Sequence, residues 1–330
     1  MKAIVQERFG PPDILRLAET DRPGIDAAGQ VLVRVRAAAL NPYDWHMMRG
    51  DPYVARLSGG VGLTRPKSRV AGVDAAGQVE AVGADVRGLR PGDEVLGFCV
   101  GSFAEYARTT ADLLVPKPAN LTFEQAAAVP MGAVTALRGI RTVGRTRPGQ
   151  RVLVNGAAGG VGTFAVQIAA ALGAEVTGVC GTHNVELVRS LGAAHVVDHT
   201  REDFTDARAR YDVILDNVGN RPLSRLRRTL TPTGTLVANG GGSPGRVFGA
   251  VGALLHVSAV DAVVRQRLRP ILPAAPAGPT REDLLAVTAL IEAGTLTPVV
   301  DRSYALADAA EGVRHVERGH ARGKAVITVA

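Results

Sequence analysis

Val152-Leu153-Val154-Asn155-Gly156-Ala157-Ala158-Gly159-Gly160-Val161-Gly162 is an apolar run that enters a turn of glycine and alanine and leads into the helix-forming Thr163–Ala174. Side chains this small let a backbone come close to a pyrophosphate. A helix that opens at the end of the turn offers unpaired N–H groups and the positive end of its dipole. A lone glycine triplet carries little weight, because such turns also serve simply to pack a helix on a sheet. Placed between a strand and a helix, with a second strand ending at Cys180, it predicts a dinucleotide site. Gly156, Ala157, Ala158, Gly159, Gly160, Val161 and Gly162 are its candidate contacts.

The second strand ends in Val179-Cys180-Gly181-Thr182-His183-Asn184. A site selective for NAD usually keeps an acid near this point to bind the ribose 2′-hydroxyl. Here the next acid along the chain is Glu186. With no carboxylate to repel a 2′-phosphate, NADPH is the expected cofactor and NADH remains possible. Cys180 marks the end of the strand, and Thr182, His183 and Asn184 are candidate donors that would serve equally well as helix caps.

Strands and helices alternate from about Leu121 to Arg269, which predicts βαβ units and an α/β, doubly wound parallel sheet. Thr122 and Gln125 have the spacing of a capping box. Upstream, short extended segments lie between glycine and proline turns such as Pro91-Gly92-Asp93. Val31, Val33 and Val35 alternate with Arg34 and Arg36, as on a half-buried strand. The final stretch holds one helix, Arg281–Gly294, and a terminal strand, Lys324–Ala330, too little to bury a core of its own. It is expected to return to the first module. The expected divisions are 1–120 and 270–330 for one domain and 121–269 for the nucleotide-binding domain, with Pro270–Pro279 as linker.

Composition narrows the function classes. The chain has 330 residues, 46% of them hydrophobic and 21% charged, the balance of a globular protein. Its net charge of +7 (38 basic minus 31 acidic) is spread out. The densest runs, Arg141–Arg151 and Arg265–Arg269, are spaced by apolar residues and read as solvated faces. Aromatic residues are only 4%, so base stacking has little to work with and nucleic acid is not an expected partner. The apolar stretch Val247–Val264 is interrupted by Gly249, His256, Ser258 and Asp261, which argues against a membrane span. Two cysteines, Cys99 and Cys180, cannot form a disulfide framework or a four-cysteine zinc site. A cytoplasmic protein is expected.

Ordered blocks along the chain resemble the medium-chain dehydrogenase/reductase superfamily, in particular its zinc-independent quinone oxidoreductases and zeta-crystallin. They include Asn41-Pro42-Tyr43-Asp44, Ala71–Gly77, Pro91–Val95, Gly101–Tyr106, Ala126–Pro130 with Thr135-Ala136, Tyr211–Gly219 and Gly319–Lys324. The resemblance implies a GroES-like catalytic domain and a Rossmann domain with the cofactor in the cleft between them. Zinc-dependent relatives carry a cysteine where this chain has Asn41 and a His-Glu pair where it has Val73-Asp74, so the ligand types that catalytic zinc needs are missing and no metal is expected.

The activity the resemblance implies is hydride transfer from NADPH to a quinone or an α,β-unsaturated carbonyl. Asn41, Asp44 and Tyr53 are the candidate catalytic residues, near Arg49, with Tyr53 the best candidate donor to an enolate oxygen. Relatives often have a tyrosine where this chain has His46. Met131 and Thr135 are implied near the nicotinamide, Ala157–Val161 at the pyrophosphate, and Asn217, Asn239, Gly240, Gly241 and Lys324 along the cofactor. His199 stands where relatives have a tyrosine, so Thr182, His183 and His199 would surround the 2′-phosphate with no permanent cation. Two alternatives stay open: an enoyl-thioester or pathway-specific reductase of a biosynthetic intermediate, and a non-catalytic NADPH-binding protein. The uncharged Gly249–Leu255 is expected to continue the sheet or lie beside it and to support a homodimer, unless it forms an apolar lid.

Overall fold

The computed structural model describes residues 1–58, 61–206, 209–240, 249–271, 280–319 and 321–330. Gly241, most of the expected linker and the start of the 247–264 stretch lie outside them. Two compact units are formed, Met1–Val134 with Pro279–Ala330, and Thr135–Gly278.

In chain order the elements begin with β1 (Lys2–Val5), β2 (Arg16–Glu19), β3 (Gln30–Leu40), α1 (Pro42–Arg49), β4 (Asp74–Val82), β5 (Glu94–Phe98), β6 (Tyr106–Thr110), β7 (Leu114–Pro116), α2 (Phe123–Ala127) and α3 (Pro130–Leu137). Then come β8 (Arg151–Asn155), α4 (Gly162–Ala171), β9 (Glu175–Cys180), α5 (Val185–Ser190), β10 (His195–Asp198), β11 (Tyr211–Asp216), α6 (Leu223–Thr229), β12 (Leu230–Ala238), α7 (Gly249–Asp261) and β13 (Arg267–Pro270). The chain continues through α8 (Arg281–Glu292), β14 (Val300–Ala305), α9 (Ala309–Glu317) and β15 (Lys324–Thr328).

In the first unit the strand order is β14-β15-β3-β4-β5-β7, with β6 also on β3. The alternation on β3 has its expected consequence: Val31, Val33 and Val35 join the core with Ile4, Phe103 and Leu114, while Arg34 and Arg36 stay exposed. Strand β15 pairs antiparallel with β3, Ala325 opposite Leu40. The Thr122 capping box forms as predicted: the Gln125 amide donates to Thr122 Oγ1 at 3.2 Å and the Thr122 amide to Gln125 Oε1 at 3.0 Å.

In the second unit the strand order is β10-β9-β8-β11-β12-β13, and every neighbouring pair is parallel. Successive strands run outward from β8 in one direction and then, from β11, in the other. Ligands of such sheets bind beyond the carboxyl ends of the strands at that reversal. Residues Gly162 to Ala169 of α4 are all buried. Two glycines make this packing possible. A Cβ on Gly162 would lie 2.0 Å from the Gly156 carbonyl oxygen, and one on Gly178 would lie 2.4 Å from Val188.

Two local expectations need correction. Gly249–Leu255 does not extend the sheet but lies beside it, the other placement expected: it is the first part of α7, with Leu254 and Val257 buried against Leu153, Ile214 and Leu268. The arginine run at 265–269 is not wholly a solvated face either. Arg267–Pro270 forms the edge strand β13, whose Leu268 is fully buried between two arginines.

Candidate active site

The glycine turn joins β8 to α4. The Ala157 amide donates to the Val179 carbonyl at 2.9 Å, tying the turn to β9, and Gly156 takes a φ of +77°. Among the described residues no side chain caps α4; the Thr163 amide is taken by the Gly159 carbonyl at 3.0 Å, and the helix start presents the positive end of its dipole to a ligand. Gly159 differs from Gly162. A Cβ there would meet nothing nearer than the Gly156 carbonyl oxygen at 3.5 Å, an ordinary contact. The fold therefore does not require glycine at 159, whereas close approach of a pyrophosphate would. Ala157 and Ala158 are buried, and Gly160 and Val161 are partly exposed at the mouth of the turn.

A polar network lies at the carboxyl ends of β8, β11 and β12. Asn155 donates to Asp216 Oδ1 at 2.8 Å and to Asn220 Oδ1 at 3.1 Å, and Asp216 Oδ1 also accepts the amides of Val218 and Gly219. Asn217 donates to the Asn155 carbonyl at 3.1 Å and accepts from Asn239 at 2.8 Å. Gly240 follows so closely that a Cβ would lie 2.3 Å from the Asn217 carbonyl oxygen. The structure thus brings Asn217, Asn239 and Gly240 together, and adds Asn155 and Asp216, which sequence reasoning did not single out.

At the end of β9, Cys180 is buried, and burial followed by the nearby Asp198 charge pushes its thiol up to about 11, so it stays protonated. His183 and His199 are exposed, and Asn184 is half-buried. A Cβ on Gly181 would lie 3.6 Å from His199 Nε2, so that ring rests beside the strand end. The acid missing from the sequence around Cys180 is supplied by the neighbouring strand: Asp198 of β10 pairs in register with Cys180. Thr182 Oγ1 donates to Asp198 Oδ2 at 2.6 Å. Thr182 is therefore not the free donor expected from the sequence, because its single hydroxyl proton is committed.

Asn41, Asp44, Met131 and Lys324 meet in the first unit around Asp74. Asn41 caps α1, and its amide donates to Asp44 Oδ2 at 2.7 Å. Its side chain is also committed: Nδ2 donates to Asp74 Oδ2 at 3.1 Å, and Oδ1 accepts from the Lys324 ammonium. Lys324 Nζ donates to the Leu40 carbonyl at 3.3 Å and stands 3.8 Å from Asp74 Oδ2. The Met131 amide, at the start of α3, donates to the same Asp74 oxygen at 3.2 Å, and Thr135 follows one turn later. Asp74 Oδ1 is buried and has no hydrogen-bond partner among the described residues. Sequence reasoning placed Asp74 only at a vacated zinc position; the structure makes it the junction of α1, α3, β4 and β15.

Burial raises both carboxyls, Asp44 to about 7 and Asp74 to about 6, with Lys324 opposing the rise in each. Burial in turn lowers the ammonium of Lys324, which Asp74 and Asp44 oppose. This cluster can hold or release a proton near neutral pH.

Tyr53 is exposed, and its ring lies 4.5 Å from the Arg56 guanidinium, which also covers Phe9 at 4.2 Å. Arg56 donates to the carbonyls of Gly50 and Arg49, fixing the turn to the end of α1. Arg49 itself pairs with Glu317 of α9 at 2.5 Å. His46 stacks on Trp45 and holds Nδ1 3.1 Å from the Asp51 carbonyl. A carbonyl only accepts, so Nδ1 carries the proton, and burial lowers the ring's pKa. Among the described residues no three His, Cys, Asp or Glu side chains converge as a metal site, and no helix is long and apolar enough to cross a membrane.

Comparison with known proteins agrees with this architecture. Residues 27–119 match the alcohol dehydrogenase GroES-like domain and residues 191–327 the zinc-binding dehydrogenase family. The chain is 33% identical to the mitochondrial NAD(P)H oxidoreductase RTN4IP1 of Mus musculus, over all of this chain and 89% of that protein. It is 32% identical to the chloroplastic NADPH-dependent alkenal/one oxidoreductase of Arabidopsis thaliana, over 99% of this chain and 79% of that one. The Escherichia coli quinone oxidoreductase, solved with NADPH, superposes with a TM-score of 0.82 at 27% identity over the whole of both chains.

Proposed function

Because the chain belongs to the quinone oxidoreductases of the medium-chain dehydrogenase/reductase superfamily, we propose that it is an NADPH-dependent reductase of quinones or α,β-unsaturated carbonyls. The observation that carries this is the turn itself: Gly159 leaves open space beside an uncapped helix start, where the fold would tolerate a side chain. NADPH, when bound, supplies the hydride that adds to the β-carbon of the acceptor.

The chain's own residues do the rest. The turn from Gly156 to Gly162 holds the pyrophosphate, and the network at Asn217, Asn239 and Gly240 sets the approach to the nicotinamide. Hydride addition leaves an enolate or hydroquinone anion that needs a donor. Tyr53, the exposed residue of the three candidates and the one with a hydroxyl, fills that role. Asn41 spends its side chain on Asp74 and Lys324, Asp44 Oδ2 holds the Asn41 amide, and the two act as positioning residues that fix the start of α1. The vacated ligand positions at Asn41 and Asp74 make the reaction independent of zinc, and the protein works in the cytoplasm.

The test is an equilibrium titration with NADPH and NADH, then turnover of quinones, enones and enoyl thioesters in the presence of a chelator. NADPH should bind about tenfold or more tightly than NADH, and quinones or enones should turn over with the chelator present. Faster turnover of enoyl thioesters would favour the alternative reductase. Binding without turnover of any acceptor would indicate a cofactor-binding protein.

A homodimer through the nucleotide domain is part of the same proposal. Leu255, 59% exposed on α7, is the apolar side chain available to a partner, whereas Leu254 is committed to its own core. Light scattering should report twice the chain mass, and Leu255→Lys should shift it towards monomer. A wild-type chain that stays monomeric at high concentration would reject the interface.

A further inference from the structure

We infer that Arg201 is the permanent cation of the 2′-phosphate subsite, and that threonine hydroxyls clamped on Asp198 prevent that acid from selecting a ribose hydroxyl instead. The inference rests on the cofactor assignment above and names the residues that set its preference.

Asp198 closes β10 directly beside the end of β9, the place where an acid would accept the ribose 2′-hydroxyl. Its acceptor positions are occupied. Oδ2 takes the Thr182 hydroxyl at 2.6 Å, and Oδ1 takes both the hydroxyl of Thr200 at 2.8 Å and its amide at 3.0 Å. Arg201 Nε stands 3.5 Å from Oδ2. These bonds, the Thr182 hydroxyl foremost, pull the carboxyl down to about 2. A carboxylate so engaged has little capacity left for a ribose hydroxyl. The two threonines have likewise spent their only protons and cannot donate to a phosphate.

That leaves Arg201. Its side chain is 76% exposed, and among the described residues its ion-pair partner is Asp198, with Nε 3.5 Å from Oδ2. A guanidinium so exposed keeps donors available, and its fork is suited to bidentate contact with phosphate oxygens. The neighbouring titratable groups are Cys180, His183, His199 and Glu202, whose amide donates to the Asp198 carbonyl at 3.1 Å, with Glu186 of α5 engaged by Arg189 at 2.7 Å. Arginine is cationic throughout the physiological pH range. The sequence suggested a subsite without a permanent cation; the Asp198 anchor supplies one.

Binding of NADPH, NADH and 2′,5′-ADP to the full chain, followed by calorimetry or fluorescence, tests this without turnover. Arg201→Ala should weaken NADPH and 2′,5′-ADP about tenfold or more and leave NADH within about twofold. The wild-type preference for NADPH should stay level between about pH 6 and 8. Thr182→Val, which frees Asp198 Oδ2, should strengthen NADH about two- to fivefold. An unchanged NADPH-to-NADH ratio in Arg201→Ala would overturn the inference. So would a preference that fades as pH rises, which would assign the subsite to a titrating group in place of Arg201. Tighter NADH than NADPH in the wild type would reject the cofactor assignment itself, and weak binding of both would reject the glycine turn.

Discussion

Lys324→Met is expected to destabilise the protein by about 3–5 kcal/mol at pH 8, the scale for breaking a buried ion pair by removing one partner. Lys324 is 3% exposed and Asp74 is fully buried. Among the described residues, Asp74 without the ammonium keeps only the Asn41 side chain and the Met131 amide as donors, and its other oxygen already lacks a partner. The pH dependence identifies the cause. Burial raises Asp74 and Asp44 above the usual carboxylate range, so the folded state holds protons that the unfolded chain has lost, and stability falls as pH rises from about 4 to 7. Lys324 opposes that rise in both groups, so its removal extends the loss to higher pH. The deficit of Lys324→Met should therefore be much smaller at pH 5, where the carboxyls take up protons, and adding Asp74→Asn should recover most of it at pH 8. Denaturant melts at the two pH values decide the matter. Equal deficits at both would mean that lost packing, not charge, is the cause.

Gly159→Val and Gly162→Ala should part company. At Gly162 even a methyl group would sit 2.0 Å from the Gly156 carbonyl oxygen and 2.7 Å from the Ala157 carbonyl carbon, so the turn must move. Overpacking of that kind typically costs about 1–3 kcal/mol and more where backbone must shift, and a lowered Tm should follow. At Gly159 the nearest atom is 3.5 Å away, so Gly159→Val should melt close to wild type. It should nevertheless lose NADPH affinity by about 100-fold or more, because the side chain takes the space of the pyrophosphate. Unchanged NADPH affinity in a folded Gly159→Val protein would show that the ligand does not approach there.

The contrast between these glycines also shows how much could be read in advance. The turn, the sheet that follows it and the Thr122–Gln125 box were legible because each is a local pattern: a strand, a cap, a period. Strand β13 was not. It offers one buried side chain, Leu268, between exposed or half-exposed arginines, and four residues of edge strand carry no periodic signal. Asp198 was hidden for a different reason. It lies 18 residues beyond Cys180 in number but opposite it in register, so only the pairing of β9 with β10 brings an acid to the strand end. The same holds for Asp74, whose partners Asn41, Met131 and Lys324 come from three distant segments. Single residues were nameable from motifs; the contacts that assign their duties are made by topology.

The placement of β15 bears on the order of events during synthesis. Thr135–Gly278 is one uninterrupted length of chain and can close its parallel sheet as soon as it clears the ribosome. The other unit emerges first yet must wait, because β3 gains its neighbour β15, and Asp74 its ammonium, only after translation has passed residue 328. Until then β3 exposes an unpaired edge and a carboxylate awaits its counter-ion. The nascent chain should therefore acquire protease resistance in its middle before its beginning, and the early segment is where a chaperone would find something to hold.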